Sequence, residues 1–176
     1  MKRIILLITI LCFSALSQAQ KLTFEQLEHM LNSSIDEAEE NLFLVGYPFI
    51  SKAVLPDSAG IIYNFSNRKN TIGTAKKVSK EVYYKEAGKS NIQYITYDRA
   101  EFQRFRRLMI EEQFTRNGKD SIGENASYIK NALKVHFEVK TDQYENKIYI
   151  ITLQGSRIAQ ISKIPKKINL KSIFKQ

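Results

Sequence analysis

Apolar positions recur along this chain at two periods. In "TFEQLEHML", residues 23–31, Phe24, Leu27 and Leu31 fall at helical spacing, and just beyond it Ile35, Ala38, Leu42 and Val45 do the same. Thr23 with Gln26, and Ser34 with Glu37, stand at the three-residue separation of a capping box, so each segment has its own start. Asp36, Glu37, Glu39 and Glu40 crowd the first turns of the second helix, where negative charge favours the helix dipole. "GYPF" ends it, with Gly46 suited to a left-handed cap and Pro48 unable to continue the helix. After a loop carrying Pro56 and Gly60 the period drops to two. "GIIYNFS" alternates Ile61, Tyr63 and Phe65 with Ile62, Asn64 and Ser66 and predicts a strand, while "VSKEVYYKE" (78–86) and "NIQYITYD" (91–98) predict a hairpin turned by "AGKS". Asp98 then caps a third helix, with Glu101 at the capping-box position and Phe102, Phe105, Leu108 and Met109 inward; Phe114 and "RNGKDSIG" close it. A second hairpin follows, with a strand from about Leu133 to Lys140, a turn in "TDQYEN" and a return strand "KIYIITLQ". Gly155 leads into a short last strand, "RIAQIS".

Helices before strands, then one helix before another hairpin, predict an α+β fold: an antiparallel sheet with helices packed on one face. Ile92, Ile95 and Thr96 match Ile148, Ile151 and Thr152 at an offset of 56, while Val82 and Tyr84 match Val135 and Phe137 at 53. Two explanations fit this spacing, a tandem helix-plus-hairpin duplication with an insertion in one turn, or repeated selection for amphipathic strands. Duplication is the reading taken. Such units resemble the architecture of beta-lactamase-inhibitor-like exported proteins. "LTFEQLEHML", the acidic helix ending "LVGYPF", the "YNF" strand and "IQYITYD" also resemble uncharacterised exported proteins of Bacteroidetes bacteria. That likeness implies export and a shared fold and brings no catalytic role.

Sorting the strands by parity separates two faces. Ile61, Tyr63, Phe65, Val82, Tyr84, Ile95, Tyr97, Val135, Phe137, Val139, Tyr149, Ile151 and Leu153 make a set fit to lie beneath helices. The opposite set holds Ile62, Asn64, Glu81, Tyr83, Lys85, Ile92, Tyr94, Thr96, His136, Glu138, Lys140, Ile148, Ile150 and Thr152. Its half-apolar character makes Tyr83, Tyr94, His136 and Ile150 the candidate binding residues, because tyrosine offers a large contact surface with a hydroxyl.

Composition sets the setting for that face. "MKRIILLITILCFSALSQAQ" pairs Lys2 and Arg3 with a short apolar run and ends in small residues, the pattern of a signal peptide spanning 1–19. The expected domain is 20–162, followed by a basic tail, 163–176, with five lysines and no acid. The location expected is the periplasm or outside the cell. Cys12, the only cysteine, leaves with the signal, so the domain is held by its core without disulfides. No transmembrane helix is expected in the mature chain. The full chain has 27 Lys and Arg against 18 Asp and Glu; without Lys2 and Arg3 it has 25 against 18, a net +7. In the envelope such a charge meets acidic glycans and lipid headgroups, so Arg104, Arg107 and the tail lysines are candidate contacts with an anionic surface, and nucleic acid is not an expected partner.

Catalytic patterns are sparse. His136 and Glu138 share one strand face and form the one candidate acid-base pair, for an envelope hydrolase. The only other histidine is His29, and there is no G-x-S-x-G elbow, phosphate loop or cysteine pair. No cofactor or metal is expected. The favoured reading is a non-catalytic binding module whose partner is a protein or an envelope glycan.

Overall fold

The computed structural model describes residues 21–68, 74–84, 89–118 and 124–156, with only the backbone at Ser156. The expected signal peptide, the strand "RIAQIS" and the lysine tail lie outside the described residues. Helix α1 (Phe24–Asn32) starts as its spacing predicts: the Thr23 hydroxyl accepts from the Gln26 amide at 3.2 Å, and Gln26 Oε1 accepts from the Thr23 amide at 2.9 Å. Ser34 caps α2 (Ile35–Leu44) by accepting from the Glu37 amide. That helix stops where Gly46 takes φ 86°, which lets the Gly46 and Tyr47 amides turn back onto the Phe43 and Leu42 carbonyls.

Strands β1 (Phe49–Val54), β2 (Gly60–Ser66), β3 (Lys77–Tyr83) and β4 (Lys89–Thr96) precede helix α3 (Arg99–Glu111). After it come β5 (Thr115–Asn117), β6 (Ala126–Lys130), β7 (Leu133–Thr141) and β8 (Lys147–Ser156). All pairs are antiparallel, and the strands form one sheet in the order β1-β2-β3-β4-β8-β7-β6-β5. The chain is therefore an α+β fold with its three described helices on one face. Each half is helical at its start and then runs a four-stranded meander, and the two meanders meet through their last strands. Gly60 is needed where β2 begins: a Cβ there would stand 2.1 Å from the Val82 carbonyl oxygen.

Three strands escape the periodicity. β1 is an edge strand with all six residues exposed, so no face is marked by burial. β5 is only three residues long and replaces the expected helix-closing loop. β6 hides in the run before Leu133; the missed signal is the two-residue turn Asn131–Ala132, with Asn131 at φ 55°, a conformation asparagine adopts readily.

The core lies between the helices and the inner sheet face. Phe102 of α3 packs against Phe137 and Tyr149 with ring centroids 5.4 and 5.0 Å away, and Phe105 meets Tyr94 at 6.0 Å. Leu27, Leu42, Val135, Ile151 and Leu153 are fully buried beside them. Here β4 departs from the parity expectation. Ile92 pairs with Leu153, Tyr94 with Ile151 and Thr96 with Tyr149, so Ile92, Tyr94 and Thr96 point to the helices, while Ile95 faces outward opposite Ile150. Tyr84, also expected inside, lies past the end of β3 and is exposed. The offset of 56 fails with this correction, since it equates buried Ile92 with outward Ile148 and outward Ile95 with buried Ile151. Nor do the hairpin connections differ in length: residues 84–88 and 142–146 are five each.

Candidate functional site

Of the four expected binding residues, the structure leaves three on the open face and removes one. Tyr94 is fully buried; its hydroxyl donates to Glu101 Oε2 at 3.0 Å and is hydrogen-bonded to Tyr47. "NIQYITYD" is apolar at both parities, so alternation alone does not choose its face. The choice falls to the partners: Tyr94 finds an acceptor and an aromatic neighbour only under α3.

Tyr83 stands on the open face near the end of β3, half-buried. Its hydroxyl donates to Glu81 Oε2 at 2.7 Å and lies 3.0 Å from Asn91 Nδ2, and Lys89 sits 5.0 Å over its ring. Ile150 belongs to this face too, but at 6 % exposure it packs opposite Ile95 and beside Glu138 and offers little surface of its own. His136 is half-buried, with Nδ1 2.8 Å from Ser127 Oγ. Glu138 does not join it; its carboxylate pairs with Lys140 at 3.0 Å. Ser127 is fully buried and thus shielded from any substrate. His136 and Glu138 thus each have a partner other than the other.

The sheet register reveals what residue-by-residue reading missed. One line of directly paired positions crosses all eight strands: Ser51, Asn64, Ser79, Gln93, Thr152, His136, Ser127 and Asn117. Every member is a hydroxyl, amide or imidazole side chain on the open face, and none is Lys, Arg, Asp or Glu. Towards both ends, neighbours in the line bond one another. Ser79 Oγ donates to Asn64 Oδ1 at 2.8 Å, and Asn64 Nδ2 donates to Ser51 Oγ at 3.3 Å. Beside its centre lies an aliphatic strip of Ile95, Ile148 and Ile150. The line is invisible in sequence because its members come from eight separate strands, two of them, β1 and β5, unmarked by alternation.

A second polar assembly, also missed, is buried. Glu101 was expected to reach back to the helix start, but Asp98 caps α3 alone, accepting from the Ala100 and Glu101 amides. The Glu101 carboxylate instead turns into the core. Its Oε2 accepts from Tyr94 and Thr96, each at 3.0 Å, and pairs with Lys76 at 2.8 Å, while its buried Oε1 has no hydrogen-bond partner. Burial pushes the Tyr47 hydroxyl up to about 12, against the lowering effect of its bond to Tyr94, and pushes Tyr94 up further still. Lys80, buried on the same sheet face, donates to the Met30 and Leu31 carbonyls at the end of α1, where a cation suits the helix dipole.

The basic helix is partly committed within the molecule. Arg104 donates to the Leu22 carbonyl at 3.3 Å and Arg99 pairs with Glu124 at 3.2 Å, whereas Arg107 is exposed. A groove of about 410 Å³ opens between α1, the end of α3 and the β6–β7 turn, with Phe24, Leu108 and Phe114 inside and Glu28 and Glu112 at its rim. Among the described residues no three His, Asp or Glu side chains converge as metal ligands, and no helix is long and apolar enough to cross a membrane. Compared with family models, curated proteins and solved structures, the chain finds no match.

Proposed function

We propose that this chain is an exported, non-catalytic binding module, placed in the periplasm or outside the cell, that engages its partner through the open face of the sheet. One observation carries the reading: the line of hydrogen-bonding side chains that crosses all eight strands on the sheet face opposite the three described helices. A solvated sheet face needs polar residues, but charged or β-branched ones would serve that need. Asparagine is disfavoured in strands, yet Asn64 and Asn117 both occupy this line. Arg107 and the lysines of 163–176 add attraction to an anionic surface; Arg104, held by the Leu22 carbonyl, is the weaker contributor. Replacing Gln93 and Thr152 together by lysine puts two charges at the centre of the line. The variant is expected to melt like the parent while losing retention on an isolated bacterial envelope fraction. Undiminished retention would refute a role for this face.

A further inference from the structure

The side chains of the line restrict what can lie on it. A protein partner is usually anchored by tryptophan, tyrosine or arginine in a desolvated pocket; the line contains none of these, and the chain has no tryptophan. A phosphate polymer needs a row of cations. On this face Lys77 and Lys134 flank the line, but Glu81 and Glu138 flank it as well. Hydroxyl and amide groups both donate and accept, which is the capacity that sugar hydroxyls and N-acyl groups require of a partner.

From these features we infer that the line is a binding site for a neutral glycan strand, lying across the β-strands. The inference rests on the reading of the open face as a binding surface and specifies its ligand. Its ends are oriented in advance. Ser79 and Ser51 hold the Asn64 amide from both sides, and Ser127 holds His136 through Nδ1, leaving Nε2 as the ring nitrogen turned from that contact. At the centre, Gln93 and Thr152 pair directly and are half-buried. Neither makes a side-chain hydrogen bond with a described residue, so both can serve a ligand. Ile95 and Ile150 face each other one outward position along the same two strands. A sugar ring carries hydroxyls at its edge and C–H groups on its faces. The line can take the edge while Ile95 and Ile148, the half-buried members of the isoleucine strip, take a face, a division that a wholly polar or wholly apolar surface does not offer. Seven inter-strand steps of about 4.8 Å make the line roughly 34 Å long, enough for a polymer in preference to a single sugar.

The test uses the isotopically labelled chain from Gln20 onward, followed by NMR. It is titrated with maltoheptaose, which offers hydroxyls alone, and with chitohexaose, which adds N-acetyl groups. At least one should move the side-chain amides of Asn64 and Gln93 and the backbone amide of Thr152. Raising the salt from low to moderate should change the affinity by less than about twofold, since no ion pair is involved. Gln93→Ala combined with Thr152→Val should weaken binding about tenfold, the scale of one or two hydrogen bonds, with the melting temperature retained. Shifts confined to the helix side, or none with either sugar, overturn the glycan inference. If an envelope protein fraction then moves the same open-face amides, the binding-module reading survives without it. If nothing moves them, both fall.

Discussion

Both faces of the sheet carry polar side chains in the middle of strands, and they arrange them in opposite ways. On the helix face Thr96 and Tyr94 converge on the single carboxylate of Glu101, and Lys80 closes on the end of α1. On the open face the polar groups are strung out one per strand from Ser51 to Asn117. Burial explains the first pattern: a polar atom removed from water without a partner costs several kcal/mol, so inner polar groups must cluster. On the open face the same rule binds only the buried Ser79 and Ser127, which bond Asn64 and His136; water is a sufficient partner for Gln93 and Thr152 at the centre, so stability does not demand the regularity of the whole line. That regularity is what points toward a ligand.

The two tyrosines first grouped together give the sharpest break between the faces. Tyr94→Ala removes a buried ring against Phe105 and a donor to Glu101, and should cost about 4 kcal/mol. Tyr83→Ala, on the open face, should cost less than about 1 kcal/mol. Denaturant unfolding of the two variants measures both, and equal losses would erase the distinction.

Next in size is Glu101→Ala, which strands the hydroxyls of Tyr94 and Thr96 and leaves Lys76 without its carboxylate. The expected cost is about 3 kcal/mol, with Glu101→Gln losing less because its amide oxygen still accepts. If Glu101→Ala unfolds no more easily than the parent, the inner cluster is not a stabilising assembly.

Alkali probes the buried cluster without disturbing packing at neutral pH. The Tyr47 hydroxyl titrates near 12 in the folded chain against 10.0 in the unfolded one, because burial disfavours the phenolate. The unfolded state therefore loses this proton first, and stability falls as the pH rises from about 10 towards 12, by roughly 2 to 3 kcal/mol. Tyr47→Phe should reduce that slope in unfolding measurements from pH 9 to 12.

The uneven legibility of the sequence follows from the same contrast. Caps at Thr23, Ser34 and Asp98 bond residues two or three positions away, and the inner stripes of α1, α2 and α3 are periodic, so both can be read locally. The face of β4 cannot, because Ile92, Tyr94, Ile95 and Tyr97 satisfy either parity and the deciding contacts come from Glu101 and Ile151. Glu101 looked fully explained as a capping residue, which concealed its role in the core. His136 was found for its chemistry, but Ser127, its actual partner, lies in a strand the alternation did not show. The outer line exists only after eight strands are aligned in register, so no one-dimensional reading could assemble it.

The smallest predicted effect tests that line most directly. Gln93→Thr adds a β-branched residue to β4 and Thr152→Val keeps one in β8, and neither parent side chain holds another described residue by a hydrogen bond. Each should therefore change stability by less than about 0.5 kcal/mol, with either sign allowed. Denaturant midpoints measured beside those of Tyr94→Ala give the comparison on one scale. A loss approaching that of Tyr94→Ala would show that the line is required for folding, and its composition would then need no ligand. Near-neutral stability leaves the neutrality and alignment of Gln93 and Thr152 without a role in holding the protein together, and binding as the property they are suited to serve.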